Sequence, residues 1–477
     1  MRTALDHSTR SYIDGRWQEV SGGQQLPVVD PASEAVVGHI AAAGQAEVDA
    51  TVAAARRAFA AFSQTSVDDR LALLGRIHDL IVERAEAFAD ALVTEMGAAI
   101  GFARASQVPF AAEHVRVQME VLRDFDFLKR NGTLATAKEP IGVCALITPW
   151  NWPLYQITAK VAPAIAAGCT VVLKPSELSP WSALLFAEVM HDAGVPPGVF
   201  NLLNGTGEVV GAALSAHPDV DMISITGSTR AGVLVAQAAA PTVKRVVQEL
   251  GGKSPNVFLD DADFATAVGK GVLAGMRNVG QSCSAPTRLL VPAARLAEVE
   301  ALARAAAEDI RVGDPRDEAV TMGPIANAAQ YGRVQAMIQA GIDDGAKLVC
   351  GGLGRPEGLE QGYFVRPTIF SEVTPEMRIA REEIFGPVLA IMPYRDEQDA
   401  VTIANDTVYG LGAHVQSADA ERAHRLARLI RAGQVHINYP AWNGHAPFGG
   451  YKQSGNGREY GAAGFEEYLE TKAILGW

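Results

Sequence analysis

The sequence has only four cysteines in 477 residues, and this low number limits the disulfide and metal sites that the protein can contain. Cys144, Cys169, Cys283 and Cys350 are too sparse for a disulfide framework. No Cys-X-X-Cys or Cys/His cluster has the spacing of a zinc site. The sequence therefore predicts no metal centre, and unpaired thiols favour a reducing cytoplasm.

Long apolar runs and excess positive charge are also missing. No stretch of about 18 uninterrupted apolar residues is found, so no transmembrane helix is expected. The first ten residues, MRTALDHSTR, lack the apolar stretch of a secretory signal. Lys and Arg number 41 against 54 Asp and Glu, a net charge of −13. That balance argues against nucleic acid or an anionic membrane as partner.

The composition and the pattern of apolar residues indicate a globular α/β protein. Hydrophobic residues make up 48% and charged residues 20%, and the length suggests two or three packed units at about 100–200 residues each. Helical spacing predicts helices over 45–62 and 68–96. Short apolar strands then alternate with helices, including one over 207–215; the strands are expected at 142–148, 170–174, 199–203, 220–225 and 244–248. This alternation predicts a parallel sheet covered on both faces, and a second α/β stretch follows to about residue 440.

A cysteine with small neighbours lies in Gly-Gln-Ser-Cys-Ser, residues 280–284, after a predicted helix. An accessible thiolate is a strong nucleophile when a base or a positive charge lowers its pKa. Free cysteines, however, are more often buried and inert. On this motif alone Cys283 is either a nucleophile or a structural residue, and the second is commoner.

Glu249 and Asn151 lie close to the ends of predicted strands. Glu249 precedes two glycines, which adopt backbone conformations closed to bulkier residues, and it can serve there as a general base for water. A solvated surface glutamate is the commoner alternative. Asn151 lies between Pro149 and Pro153, which fix the backbone around it. Its amide is either a donor to an oxyanion or the closure of an Asx turn.

Two further strand ends carry groups suited to a dinucleotide. The segment 174–177, Lys-Pro-Ser-Glu, directly follows a strand, where open α/β sheets bind ligands. Thr226-Gly227-Ser228 joins a strand to a helix whose first N–H groups can hold phosphate. A solvated charged loop and a plain Ser N-cap explain the same residues, and the GxGxxG fingerprint is missing.

Together these segments resemble the NAD(P)-dependent aldehyde dehydrogenase superfamily of the hydrolytic, non-acylating type. The resemblance rests on motifs in the family's order: TPWNWP, KPSELSP, TGSTRAG, ELGGKSP, GQSC, EEIFGPV and PFGGYKQSGNGRE. It implies a variant Rossmann-type parallel-sheet cofactor domain, a second α/β catalytic domain and a small β oligomerisation arm. The implied boundaries are 1–120 and 141–250 for the NAD(P)-binding domain, 251–445 for the catalytic domain, and 121–140 with 446–477 for the bridging segments.

The resemblance also implies site residues. Cys283 would be the nucleophile, Glu249 the base that activates the deacylating water, and Asn151 the side-chain donor to the oxyanion. The cofactor is expected to be NAD, because Glu177 disfavours a 2′-phosphate, with NADP as the alternative. Its implied contacts are Thr148, Trp150, Lys174, Ser176, Glu177, Gly207, Gly227, Ser228, Leu250, Glu383 and Phe385.

The implied reaction is oxidation of an aldehyde to a carboxylic acid through a Cys283 thiohemiacetal and thioester. Two alternatives stand beside it: a CoA-acylating enzyme, which usually lacks a glutamate at 249, and a catalytically silent NAD-binding protein. Trp152, Tyr155, Trp442 and Phe448 match the family's substrate tunnel and predict an apolar or aromatic aldehyde. No arginine stands among these positions to pair a carboxylate on the substrate. His445 has no assignable role, and a homodimer or homotetramer is expected by resemblance.

Overall fold

The structure is a computed structural model that describes residues 6–20 and 23–477. The first five residues of the predicted cofactor domain lie outside the described residues. The strands, β1 to β20 in chain order, are Arg10–Ile13, Arg16–Glu19, Gln25–Val29, Val36–Ala41, Leu128–Asn131, Leu134–Pro140, Val143–Ile147, Thr170–Lys174, Phe200–Leu202, Met222–Thr226, Arg245–Glu249, Pro255–Phe258, Arg288–Pro292, Lys347–Cys350, Thr368–Ser371, Val388–Tyr394, Gly412–Gln416, Gln434–Ile437, Gly455–Asn456 and Leu469–Leu475. The α-helices, α1 to α16, are Gln45–Phe62, Val67–Glu83, Ala85–Met96, Ile100–Phe102, Val108–Asp124, Pro153–Ala167, Trp181–Asp192, Ala212–Ala216, Thr229–Ala239, Phe264–Met276, Leu296–Glu308, Ala328–Asp343, Arg378–Arg381, Glu397–Asn405, Ala420–Leu429 and Gly461–Glu466.

The first large sheet has the order β19-β11-β10-β7-β8-β9-β1-β2. Strands β11, β10, β7, β8 and β9 are parallel, as predicted. β7 is buried along its whole length because the sheet is covered on both sides. Its alternate residues enter different cores: Cys144 and Leu146 pack in one, and Val143, Ala145 and Ile147 in the other. Strands β1 and β2 at one end of the sheet and β19 at the other are antiparallel additions that the sequence did not predict.

The second large sheet has the order β14-β15-β16-β13-β12-β17-β18. It is parallel except for the pairing of β14 with β15. Two further apolar clusters cover its faces. The fold is therefore α/β, with a variant Rossmann-type sheet and a second α/β sheet, and both predictions of fold class are confirmed.

A small antiparallel sheet, β20-β6-β5, joins two distant parts of the chain. β6 pairs with β20 along seven residues of each strand, from Leu134 opposite Leu475 to Pro140 opposite Leu469. This sheet contains segments that the resemblance assigns to an oligomerisation arm. The domain boundaries themselves stay predictions. Within residues 6–20 and 23–477, no helix is both long enough and apolar enough to cross a bilayer.

Two predicted helices differ in the structure. The helix expected over 68–96 is two helices, α2 and α3, because the backbone at Arg84 leaves the helical region with φ −96° and ψ 19°. The helix expected over 207–215 begins as a π-helix, Gly207–Gly211, and only then becomes α8. Neither break contains proline, so apolar spacing alone does not reveal them.

Candidate active site

The candidate site lies where the edges of the two large sheets meet. The carboxyl ends of β7, β8, β10 and β11 share one edge of the first sheet. The chain leaves β7 on one side towards β8 and returns on its other side as β10, which creates the crevice where such sheets bind ligands. The loops that enter β12, β13 and β16 contribute the opposing wall, where Gly252 N donates to Glu383 Oε1 at 2.9 Å.

Cys283 lies between α10 and β13, after an unusual turn. Asn278, Val279 and Gly280 all have positive φ, of 55°, 60° and 68°. Cys283 is half-buried and packs at the margin of the core that contains Tyr155. Burial raises the pKa of its thiol, and the negative charges of Glu383 and Glu249 raise it further. The thiol is therefore neutral near pH 7 and must lose its proton before it can attack.

Asn151 contacts the same turn. It is buried, and its Nδ2 donates to Gln281 O at 2.9 Å. The neighbouring Trp152 donates from Nε1 to Ser282 Oγ at 2.8 Å. A primary amide has two N–H donors, so one hydrogen of Asn151 remains for another acceptor. The segment after β7 and the cysteine loop are thus fixed against each other.

Glu249 is the last residue of β11 and is fully buried. Neither carboxyl oxygen has a hydrogen-bond partner in the described part of the chain. Burial raises the pKa of Glu249, and Glu459 adds to the shift, while Lys160 and Arg458 oppose it. Lys160 is itself buried, where it pairs with Glu459 and donates to Ser224 Oγ at 3.0 Å. Glu249 is therefore a carboxyl group with a strong affinity for a proton.

The predicted cofactor contacts of the first sheet lie along its carboxyl edge. Lys174 ends β8 and is buried, and its Nζ donates to Glu177 Oε2 at 3.0 Å. Burial lowers the pKa of Lys174, and Glu177 opposes that shift. Thr148 N donates to Lys174 O at 3.1 Å, and Ser176 Oγ accepts from Leu178 N at 3.2 Å.

Gly227 and Ser228 connect β10 to α9. Ser228 is the N-cap of that helix, and its Oγ accepts from Ala231 N at 3.2 Å. Gly207 begins the π-helix, and a Cβ at this position would meet no atom within 4 Å. Both segments present helix N-termini, which attract anions.

The opposing wall carries Glu383, Phe385 and Leu250. Burial raises the pKa of Glu383 to about 7, although the Gly252 amide and Lys253 favour its charged form. Phe385 has a positive φ of 58°, and its ring lies perpendicular to that of Trp150, with centroids 5.4 Å apart. Leu250 is buried, and its N donates to Ser454 O at 2.9 Å.

Aromatic rings form a shell beside Cys283. The ring of Tyr155 lies 5.3 Å from Trp152 and 6.4 Å from Trp442, and Phe110 stacks on Trp442 at 4.6 Å. Phe448 is buried and stacks on Tyr460 at 5.1 Å, on another side of Tyr155. The structure therefore gathers the four predicted tunnel residues into one region.

An arginine from outside the four predicted tunnel positions lies near these rings. The guanidinium of Arg277 lies over Phe102, Phe110 and Trp152, at 5.1, 5.5 and 5.9 Å from the ring centroids. Arg277 donates to Ser106 Oγ at 2.8 Å and forms no salt bridge with any residue that the structure describes. Arg277 could not be identified from the sequence, because it directly follows α10 and reaches these rings only through tertiary packing.

His445 lies outside this arrangement. Its Nε2 is 2.9 Å from Glu120 Oε2, and both side chains are partly exposed. This contact fixes the loop before Phe448 to α5, which is a structural role. No group of three His, Cys, Asp or Glu side chains in the described ranges is arranged to hold a metal ion.

Comparison with known proteins identifies the family. The sequence model of the aldehyde dehydrogenase family matches residues 17–474. The chain belongs to the aldehyde dehydrogenase family. It is 56% identical to a 3-succinoylsemialdehyde-pyridine dehydrogenase from a Pseudomonas species, over 98% of both chains.

Solved structures agree with this assignment. The fold matches a cysteine-to-alanine mutant of aldehyde dehydrogenase C from Pseudomonas syringae, solved with NAD+ and octanal, at 67% identity and a TM-score of 0.98, covering 99% of this chain and 97% of that one. Betaine aldehyde dehydrogenase from Staphylococcus aureus, solved with NAD+, matches at 35% identity and a TM-score of 0.95, covering 99% and 95%. This aldehyde dehydrogenase is thus an oxidoreductase, and its likeness to both structures extends over the whole fold.

Proposed function

We propose that this chain oxidises an aldehyde to a carboxylic acid by covalent catalysis at Cys283, with NAD as the cofactor. The observation that carries the proposal is the meeting of three groups at one junction. The Asn151 amide bonds to the turn before Cys283, and the Glu249 carboxyl group is close enough to influence the pKa of the Cys283 thiol. A nucleophile, a donor for an oxyanion and a base are the groups that oxidation through a thioester needs.

In the first half-reaction, the Cys283 thiol releases its proton to solvent, and the resulting thiolate attacks the aldehyde carbon and forms a C–S bond. The carbonyl oxygen becomes an alkoxide, which accepts hydrogen bonds from Asn151 Nδ2 and from the Cys283 backbone N–H. The alkoxide collapses as the carbon loses its hydrogen with both electrons, which leaves a thioester on Cys283. When bound, NAD+ supplies the acceptor for that hydride.

In the second half-reaction, water hydrolyses the thioester. Glu249 takes a proton from the water, the resulting hydroxide attacks the thioester carbon, and the C–S bond breaks. The acid leaves and the thiolate is regenerated. The raised pKa of Glu249 suits this role, because a carboxylate with higher proton affinity is a stronger base. The same glutamate favours water over CoA as the acyl acceptor.

The residues along the first sheet fit NAD. The carboxylate of Glu177 can accept hydrogen bonds from ribose hydroxyls at the end of β8. The N-terminus of α9, at Gly227 and Ser228, can hold the pyrophosphate, and the open space at Gly207 leaves room beside the adenine. Glu383 and Phe385, with Trp150, Thr148, Ser176 and Leu250 nearby, complete the proposed contacts.

Glu177→Gln should weaken the preference for NAD. The substitution removes a negative charge that repels a 2′-phosphate and frees Lys174 from its ion pair. We expect kcat/KM with NADP to rise about tenfold relative to NAD, since an unfavourable charge near a phosphate has this magnitude. Initial rates with both cofactors test this. Glu208→Gln, an exposed glutamate after β9, serves as the matched control. An unchanged ratio in Glu177→Gln would show that another group selects the cofactor.

For the substrate, we propose an aldehyde with an apolar or aromatic body and an electron-rich far end. The aromatic shell supports the first feature, since ring surfaces gain from burial. Arg277 supports the second, because it carries a charge with no acidic partner among the described residues. The octanal bound in one related structure and the pyridine semialdehyde after which another relative is named share an apolar or aromatic body.

The Arg277→Leu variant should distinguish the contribution of the apolar body of the aldehyde from that of its electron-rich far end. We expect kcat/KM for an aldehyde with a carboxylate or pyridine end to fall about tenfold, which corresponds to one lost polar contact. The kcat/KM for octanal should change less than about twofold, since its alkyl tail has no group that interacts with a guanidinium. Arg104→Leu, an exposed arginine paired with Glu86 and Glu318, is the control. Equal losses for both substrates would remove Arg277 from substrate selection.

The reaction itself is tested by NADH formation from a panel of aliphatic, aromatic and semialdehyde substrates. Turnover without CoA is expected. Turnover only with CoA would favour an acylating enzyme, and binding of NAD without turnover on any aldehyde would favour a silent protein.

We also propose a homo-oligomer, a dimer or tetramer, built with the β20-β6-β5 sheet. Leu475 and Trp477, at and beyond the end of β20, are 82% and 49% exposed, which is unusual for large apolar side chains left in water. Light scattering would decide the oligomeric state. A reducing compartment such as the cytoplasm would keep the four free cysteines reduced.

A further inference from the structure

Gln107 is the last residue of a π-helix, Ala103–Gln107, that precedes α5. A π-helical turn contains an extra residue relative to an α-helical turn, and such turns are frequent at functional sites. Here the turn places Gln107 completely inside the protein, between exposed neighbours such as Arg104 and Pro109.

The Gln107 amide begins a chain of hydrogen bonds that ends at the cysteine loop. Its Nε2 donates to Asn278 Oδ1 at 3.2 Å. Asn278 Nδ2 in turn donates to Asn151 O at 2.8 Å and to Gln281 O at 3.3 Å. Gln281 O is also the acceptor of the Asn151 side chain. Asn278 therefore holds both the backbone of Asn151 and the acceptor that its side chain uses.

Asn278 is in a conformation that needs such support. Its φ of 55° and the φ of 60° at Val279 lie in the left-handed region, which is especially unfavourable for a β-branched valine. Backbone of this kind persists only where surrounding contacts fix it, and it is concentrated at functional sites. The turn begins five residues before Cys283, so its conformation decides where the thiol lies.

The remaining contacts of Gln107 do not suggest a role in stability alone. Its Oε1 has no partner in the part of the chain that the structure describes, and its Nε2 also approaches Met96 Sδ at 3.4 Å. Burying an amide oxygen that has no hydrogen-bond partner costs free energy, so packing alone does not explain a glutamine at this position. Among the described residues, its shortest hydrogen bond to a nitrogen or oxygen atom is the one to Asn278.

We infer that Gln107 is a positioning residue for the oxyanion site. It holds Asn278, and through it Asn151 and the turn before Cys283, without touching substrate or cofactor. This inference rests on the proposed roles of Asn151 and Cys283. Weaker positioning should slow both half-reactions, because the thiohemiacetal and the tetrahedral intermediate of thioester hydrolysis both place a negatively charged oxygen at this site; the first NADH turnover reports the effect on the first of them.

The test compares Gln107→Met and Gln107→Glu with the unmodified enzyme. Methionine keeps the approximate shape without a donor. Glutamate presents only acceptors to Asn278 once it is ionised, so this variant is measured at alkaline pH, above the raised pKa of a buried carboxyl group. We expect the rate of the first NADH turnover to fall at least about tenfold in both variants, since removal of an oxyanion donor itself lowers kcat by about 10²–10³-fold. The deuterium isotope effect with a deuterated aldehyde should rise, while the KM for NAD and the melting temperature change little.

Gln118→Met is the matched control. Gln118 is a buried glutamine on α5 with a single bond, from Nε2 to Gly461 O at 3.3 Å, and an unpaired Oε1. The Gln118→Met variant should be less stable than the unmodified enzyme, but its deuterium isotope effect should not be larger. An unchanged first turnover in both Gln107 variants, or a loss with no rise in the isotope effect, would overturn the inference. If Gln107→Met does not fold, Gln107→Glu decides alone. Failure of the proposed function is separate, since the unmodified enzyme would then show no NADH burst.

Discussion

Cys283→Ala should abolish aldehyde oxidation and leave NAD binding intact. Without the sulfur, no thiohemiacetal forms and the aldehyde carbon cannot release its hydride. Loss of a nucleophile costs on the order of 10⁶ in kcat where it has been measured in a protease. The proposed cofactor contacts come from other segments, so the affinity for NAD should change little. NADH formation and calorimetric titration with NAD measure the two properties.

Cys350→Ala provides the matched control. Cys350 ends β14 at the edge of the second sheet, and its Sγ approaches Pro367 O at 3.9 Å, so its replacement should leave turnover unchanged. Substantial oxidation by Cys283→Ala, with Cys350→Ala also active, would refute Cys283 as the nucleophile. Loss of NAD binding together with activity would instead indicate a damaged fold.

Glu249→Gln should give about one NADH per site and then stop. The first half-reaction does not need this carboxylate, so the hydride is transferred once and the thioester accumulates. An amide cannot take a proton from water, so steady-state turnover should fall by about 10²–10⁴, the usual contribution of a general base. Rapid-mixing measurements of NADH and mass spectrometry of the acylated protein detect the burst and the intermediate.

The pH dependence gives an independent check. Because burial raises the pKa of Glu249, its basic form becomes populated only as the pH rises through a value above the ordinary carboxyl range. Hydrolysis of the thioester in the unmodified enzyme should therefore accelerate with pH, and this acceleration should be missing in Glu249→Gln. Glu357→Gln, an exposed loop glutamate, should behave like the unmodified enzyme. Normal steady-state turnover in Glu249→Gln would assign the base elsewhere.

The sequence predicted those features that depend on local pattern. Parallel strands buried on both faces are continuous apolar runs, so β7 and β8 are visible as Val143–Ile147 and Thr170–Lys174. The order of motifs then placed Cys283, Glu249 and Asn151 in one family site. Carboxyl ends of neighbouring parallel strands share an edge, which is why residues distant in sequence could be expected together.

Features that depend on tertiary contacts were not predictable. The pair formed by Lys160 and Glu459, which affects Glu249, joins residues 299 positions apart. Gln107 reaches Asn278 across 171 positions and only because a π-helical turn shifts the register. Arg277 has no local motif at all. Such contacts depend on side-chain directions that only the folded backbone sets.

The pairing of β19 with β11 has a consequence for how the protein is made. Gly455 stands opposite Glu249, and Ser454 Oγ donates to Gly251 O at 2.6 Å, across 203 positions of sequence. Because the chain is synthesised from its N-terminus, β11 is made before residues 454–456. The edge of β11 stays unpaired until those residues can join the sheet. A nascent chain that ends before residue 454 therefore leaves the edge of β11 beside Glu249 without its antiparallel partner.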